Sequence, residues 1–264
     1  MAMAHELDVT DQDLHLSTES KGEPWGEVIR DYEPKANTHW RFGKPNYARV
    51  NKAYFRGRSK KHPAGSLEEV VTKLVKNWEV ESHHIYDIRD WQTMDIKKFQ
   101  ASLNGGTPID AQVMADIGPY NMLVGDCEGY KASANTFESA NEIFSTVFPD
   151  GFAWECLEVY SPPPEVAFKW RHFGVFTGEF TDDKGEVHAG NNRLIEVFGA
   201  CIAKVNADLK IETLKVYYDP NTQIQPLLTN KGPKSTPMCP FAPACSRDMF
   251  NDEEEDEGAE PEYE

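Results

Sequence analysis

The stretch from Gly151 to Phe180, GFAWECLEVYSPPPEVAFKWRHFGVFTGEF, constrains the fold more than any other part of the chain. Two runs rich in aromatic and branched residues flank Ser161-Pro162-Pro163-Pro164. Proline has no N–H to give to a ladder, so the prolines lie between the paired segments and the stretch reads as a β-hairpin. Side chains alternate across a strand. Val166, Phe168, Trp170, His172 and Phe176 therefore share one face of the second run, and Ala167, Lys169, Arg171, Phe173 and Val175 share the other. The first face is an aromatic wall holding one imidazole. Such a face either lines an apolar cavity with a single polar handle or belongs to a closed core whose histidine is bonded to a neighbour.

Two more strands follow: Leu194 to Val205, with alternating apolar positions, and Ile211 to Asp219, ended by Pro220. On the latter, Tyr217 and Asp219 share a face. Helical periodicity dominates earlier residues. A helix is expected over about 46–57. Ser66 followed by Glu69 is a capping-box pattern that opens a helix carrying Val70, Val71, Leu74, Val75 and Trp78 and ending near Glu81. A short strand is expected near Trp91, and residues 95–106 read as a helix or a strand closing in an Asn-Gly-Gly turn. Residues 108–122 form a helix that Gly118-Pro119 kinks or ends, and a further helix holds Phe137, Ala140, Ile143, Phe144 and Phe148. Helices over 40–150 followed by strands over 151–220 mean an α+β fold, with helices packed on one face of a mainly antiparallel sheet.

The 264 residues divide into an arm over 1–36, polar and disordered or loosely attached; one domain over 37–230; and a disordered tail over 231–264, Pro-rich and then acidic. The net charge is −17; nine of the acidic residues fall in the last fourteen positions, and the remainder still carries −8. Phosphate affinity comes from clustered Lys and Arg, so nucleic acid is not an expected partner, nor is an anionic membrane surface. The five cysteines are scattered and odd in number, which suits a reducing, cytoplasmic setting. Cys239 and Cys245 in CPFAPAC lack the usual spacing of a zinc knuckle. His83 and His84, placed on an extended segment, point to opposite sides without a third ligand, so no metal is expected. No Walker loop, dinucleotide fingerprint or nucleophile elbow occurs, and no cofactor is expected.

Several stretches resemble the plant pathogen-related protein family: PAGSLEEVV (63–71), NWEVESH (77–83), GPYNMLV (118–124), the whole of 148–180, VYYDP (216–220) and CPF (239–241). They run in the family's order over roughly 40–241. That family looks like a branch of the SnoaL-like group of the nuclear transport factor 2-like superfamily. The resemblance implies a cone of helices wrapped by a strongly curved, mainly antiparallel sheet, with a pocket at its open end and a homodimer formed through the sheet. SnoaL-like relatives end one strand in Gly-Thr-His-Thr-Gly; here that position reads Gly174-Val175-Phe176-Thr177-Gly178, so the histidine is replaced by Phe176. His172, on the same face, can take its place, and Asp219 sits where a late-strand catalytic acid would be.

Two functions follow. In the first, an enzyme moves protons on a hydrophobic metabolite in an isomerisation, dehydration or cyclisation. His172 is the acid/base, Asp219 a second carboxylate or its orienter, and His83 a polar group at the rim. Trp154, Phe168, Trp170, Phe176 and Tyr217 form the walls. In the second, the same cavity binds or carries a hydrophobic small molecule without chemistry. A dimeric interaction module is a third reading.

Overall fold

The computed structural model describes residues 27–228. The acidic tail, the Cys239–Cys245 segment and Trp25 lie outside the described residues. Along the chain come α1 (Ala48–Gly57), α2 (Leu67–His84), β1 (Gln100–Leu103), β2 (Ile109–Asp110), α3 (Ala111–Ile117), α4 (Pro119–Val124), β3 (Asp126–Cys127) and β4 (Tyr130–Lys131). Then follow α5 (Phe137–Val147), β5 (Ala153–Val159), β6 (Glu165–Phe176), β7 (Glu179–Thr181), β8 (Val187–Ala189), β9 (Arg193–Val205), β10 (Ile211–Tyr217) and α6 (Asn221–Leu228). The fold is α+β. The main sheet has the order β2-β1-β10-β9-β6-β5, and only its β1–β10 pair is parallel.

The hairpin forms where the sequence places it. β5 pairs β6 from Ala153↔Phe173 to Val159↔Phe168, and the prolines stay outside the ladder. Ser161 clips its end: the hydroxyl donates to the Glu165 carbonyl at 2.6 Å and accepts from Ala167 N–H at 2.9 Å. β6 then pairs β9 over its whole length, Glu165↔Lys204 to Phe176↔Arg193. These long strands provide the wall against which the helices pack.

α2 crosses the inner face. Ser66 caps it by accepting from Glu69 N–H at 3.2 Å, while the Glu69 carboxylate accepts from Gly65 N–H, one residue before the expected partner. The helix continues three residues beyond Glu81, so His83 and His84 are helical rather than extended. Glu81 is fully buried and accepts from the Gln92 and Thr93 N–H groups, and Trp91 Nε1 donates to the Ile85 carbonyl at 3.2 Å. These bonds hold Ile88–Asp90 in a 3₁₀ turn where a strand near Trp91 was expected. The helix-or-strand segment resolves into β1, added in parallel beside β10. Gly118, at φ 87°, divides the 108–122 helix into α3 and α4, and Pro119 opens the second piece.

Part of the expected N-terminal arm belongs to the domain. Ile29 and Arg30 are buried, and Ile29 packs with Tyr54, Ala153 and Phe173 where α1 covers the outer face of the sheet near β5. The rest of that face leaves Leu194, Phe198, Ile202 and Tyr217 exposed. On the inner side, α2 meets the sheet through Val71, Trp78, Phe168, Trp170, Val197 and Cys201. A second cluster around Phe144, Phe148, Phe176, Phe180 and Ile195 fills the space under α5. Among the described residues no helix is long and apolar enough to cross a membrane.

Gly199 lies opposite Trp170 in the β6–β9 ladder, and a Cβ there would stand 2.3 Å from the indole and 2.8 Å from the Tyr217 carbonyl. Gly199→Ala is expected to cost about 2 kcal/mol, as overpacking does. Urea unfolding measures it; an unchanged midpoint would show that the Trp170 ring does not lie across this glycine.

Candidate functional site

Between α2 and the sheet lies a cavity of about 380 Å³. One helical row, Leu67, Val71, Val75, Glu79 and His83, faces it at steps of four. At 1.5 Å per residue that row spans about 24 Å. Opposite stand Phe168, Trp170 and His172 of β6, Trp154 of β5, and Cys201 and Ala203 of β9. The lining is apolar from Leu67 to Trp78, then gives way to Glu79, His83, His84, Tyr120 and His172.

Five of the eight expected site residues border this cavity: His172, His83, Trp154, Phe168 and Trp170. Three do not. Phe176 shares the face of His172 but lies beyond Gly174, where Phe148 and Phe152 close in, and it is buried in the second cluster. Tyr217 is 40% exposed on the outer face, because Val216 and Leu214 take the inner positions of β10. Tyr218 turns in instead; its hydroxyl donates to the Leu123 carbonyl at 2.6 Å and its ring meets Trp170 edge-on. Asp219 is exposed and accepts from the Asn221 N–H at 2.9 Å at the start of α6. His172 and Asp219 are therefore not brought together.

Glu79 is the residue the sequence reasoning missed. Its signal was present: it occupies the next position of the Leu67–Val71–Val75 row, where the helical period calls for an apolar side chain. Arg30 NH2 meets its Oε2 at 2.7 Å, and the same guanidinium bonds Asn51 and lies 3.8 Å over the Tyr47 ring. The side chain keeps 28% of its surface accessible and lines the cavity. Burial pushes the Glu79 carboxyl up, but the Arg30 and Lys76 charges outweigh burial and hold it at about 2. Lys76, buried beside it, donates to the Trp154 carbonyl at 3.0 Å and lies 4.2 Å over the Tyr54 ring; burial lowers it to about 7.

Burial lowers the pKa of the three histidines that line the cavity. His172 stacks near Phe152, with ring centroids 3.9 Å apart, and its Nε2 contacts the Phe152 carbonyl at 3.1 Å. Its pKa falls to about 4, as does that of His84, and that of His83 is also lowered. The His83 Nδ1 contacts the Glu79 carbonyl oxygen one turn back, at 3.2 Å. These groups do not converge as metal ligands. Among the described residues one set of acids and histidine has ligand atoms within 4.8 Å of one another, Asp182, Glu186 and His188 near the β7–β8 hairpin. There the Asp182 carboxylate accepts from His188 Nε2 and from the Lys184 and Glu186 N–H groups, which accounts for the cluster as a turn.

Protonation of the cavity histidines carries a stability signature. In the unfolded chain a histidine takes up a proton near pH 6.5, whereas folded His172 resists until about 4. The unfolded state thus binds more protons between these values, and stability falls as pH drops through that window and levels off below it. At about 1.4 kcal/mol per pH unit, His172→Gln should reduce the loss between pH 7 and 4 by roughly 1–3 kcal/mol in urea titrations. An unchanged loss would show that this imidazole is well hydrated.

No family model matches the chain. It is 36% identical to the pathogen-related protein of Hordeum vulgare over 222 residues, which covers 81% of this chain and 92% of that protein. Solved structures that it resembles include a protein assigned as a SnoaL-like polyketide cyclase from Jannaschia sp. CCS1, at 10% identity and a TM-score of 0.33, covering 66% of this chain and 100% of that one. Another is a Catenulispora acidiphila protein with a ketosteroid isomerase-like fold, at 8% identity and a TM-score of 0.33, covering 58% and 90%. At those scores the α+β assignment rests on the sheet order and helices described above. The barley relative, matched over nearly its full length, decides the family: this chain belongs to the pathogen-related proteins.

Proposed function

We propose that the chain binds a hydrophobic small molecule in the cavity between α2 and the sheet. The observation that carries this reading is a space of about 380 Å³ walled by Trp78, Trp154, Phe168 and Trp170, in which Glu79, His83, His84 and His172 lie close enough to feel one another's charge. That volume lies in the range of sites for small organic ligands, and a few placed polar groups in an apolar wall are how such sites orient what they hold. Binding is favoured over catalysis by protonation. General acids and bases work best with pKa values near the working pH. His172 and His84 at about 4 and Glu79 at about 2 keep one state across the neutral range.

A proton-transfer enzyme is the second reading, and one contact favours it. The Phe152 carbonyl orients the His172 ring from Nε2 and leaves Nδ1 to act on a bound molecule. Isomerisation, dehydration or cyclisation would then use His172 with Glu79 and His83, since Asp219 stands outside the lining. His172→Ala would abolish turnover under this reading and leave ligand retention under the first.

A second copy of the chain is the proposed macromolecular partner, paired through the exposed Leu194, Phe198 and Ile202 of β9. Phe198→Glu, in place of a side chain that is 50% exposed, is expected to turn a dimer into a monomer in sedimentation.

The binding reading is tested with Nile red, a neutral apolar dye. Ala203 faces Val166 and Leu214 across the ladders and lines the cavity. Ala203→Phe should weaken dye binding at least tenfold while circular dichroism stays unchanged. Equal binding by this variant would place the dye outside the cavity and remove the proposal.

A further inference from the structure

We propose that the polar end of the cavity receives a hydrogen-bond donor, so that the bound molecule is an apolar compound whose polar group is a hydroxyl or a protonated amine rather than a carboxylate, phosphate or ketone. This rests on the binding reading and names the ligand chemistry of the same site.

The argument is an inventory of lone pairs. A carbonyl oxygen only accepts. The His172 Nε2, 3.1 Å from the Phe152 carbonyl, must therefore carry the ring's proton. Burial keeps the ring neutral, so Nδ1 is a bare acceptor. For His83, Nδ1 lies 3.2 Å from the Glu79 main-chain oxygen and 3.4 Å from the Ser82 hydroxyl; the shorter contact is to an oxygen that only accepts, so Nδ1 carries the proton and Nε2 is the acceptor. Glu79 gives Oε2 to Arg30 at 2.7 Å, and among the described residues none donates to Oε1. Both histidines feel the Glu79 charge. His84 also lines this end, but its Nδ1 is buried without a partner and no hydrogen bond fixes its tautomer, so it can donate or accept. The groups whose roles are fixed are two imidazole nitrogens and a carboxylate oxygen, all seeking protons.

Charge points the same way. Among the described residues that line the cavity there is no Lys or Arg, and Glu79 is the one ionised group. Arg30 is outside the lining, 8% exposed, and committed to Glu79 and Asn51; Lys76, buried beside Glu79, is also outside the lining and donates to the Trp154 carbonyl at 3.0 Å. An incoming anion would meet a carboxylate with no cation to answer it, and an incoming ketone would set lone pairs against lone pairs. A buried polar group left unpaired loses its bonds to water without replacement, which disfavours such a ligand. The Trp78 and Trp170 Nε1 donors do not relieve this, because both are buried away from the cavity surface without a partner. Tyr120, Asn141 and Ser145 can donate or accept and leave the bias intact.

The test uses one chain length with different ends: decan-1-ol, decylamine, decan-2-one, decanoate and decane, each titrated directly into the full-length protein at pH 7 by calorimetry. The alcohol or the amine is expected to bind at least tenfold more tightly than decanoate and the ketone, and the stronger of the two identifies the donor. In Glu79→Gln, whose amide can itself donate, the ketone should come within threefold of the alcohol. Decanoate or decan-2-one binding as tightly as decan-1-ol to the wild type overturns the inference while leaving the cavity reading in place, and this comparison stands even if the variant does not fold. Failure of Nile red and of every decyl compound to bind overturns the cavity reading and the inference together.

Discussion

The contact between Arg30 and Glu79 holds the site in its form. A lone carboxylate in an apolar cavity would pick up a proton, because the desolvation cost of the charge is several kcal/mol. Arg30 prevents this, and it is itself fixed from three sides by Asn51, Tyr47 and Glu79. The pair joins the segment before α1, α1 itself, and the cavity face of α2. Loss of one partner from such a pair costs more than the pair contributes, since it strands the other charge. The polar end of the cavity therefore depends on residues that precede the first helix, and residues 27–36 cannot be treated as an appendage.

The outer face of the sheet has a comparable anchor of a different kind. Arg171 points away from the cavity and is bonded to Glu155, to Glu196 and to the Gly57 carbonyl at the end of α1. Glu155 in turn accepts from the Ser59 and Lys60 N–H groups. One network ties α1 to the back of the hairpin, and the other ties the front of α2 to the cavity. The alternation along β6 separates them: His172 serves the inside and Arg171 the outside.

How far the sequence discloses all this depends on the kind of signal. The hairpin is legible because prolines and period-2 aromatics leave no other arrangement, and the helices-then-strands order carries the fold class. The end of α2 is not, because Ser82, His83 and His84 have modest helix propensity and are held in the helix by packing. β1 stays undecided between helix and strand in the sequence because four residues are too few for a period, and its parallel partner lies more than a hundred residues away. Tyr217 and Asp219 fall on the wrong side because β10 presents Leu214 and Val216 inward, a choice that alternation alone does not make. Glu79 was hidden by its company: a charged residue late in an amphipathic helix reads as surface until the row it belongs to is followed through.

The place of β1 beside β10 has a consequence for how the chain comes to be folded. Gln100 cannot find Thr213 until nearly all of the domain has been synthesised, and the sheet is incomplete until then. Contacts so distant in sequence make for slow assembly. Meanwhile α2 leaves the ribosome with Val71, Leu74, Val75 and Trp78 uncovered. A nascent chain of this kind keeps the apolar stripe of its longest helix in water until the wall that covers it has been made, and over that interval aggregation competes with folding.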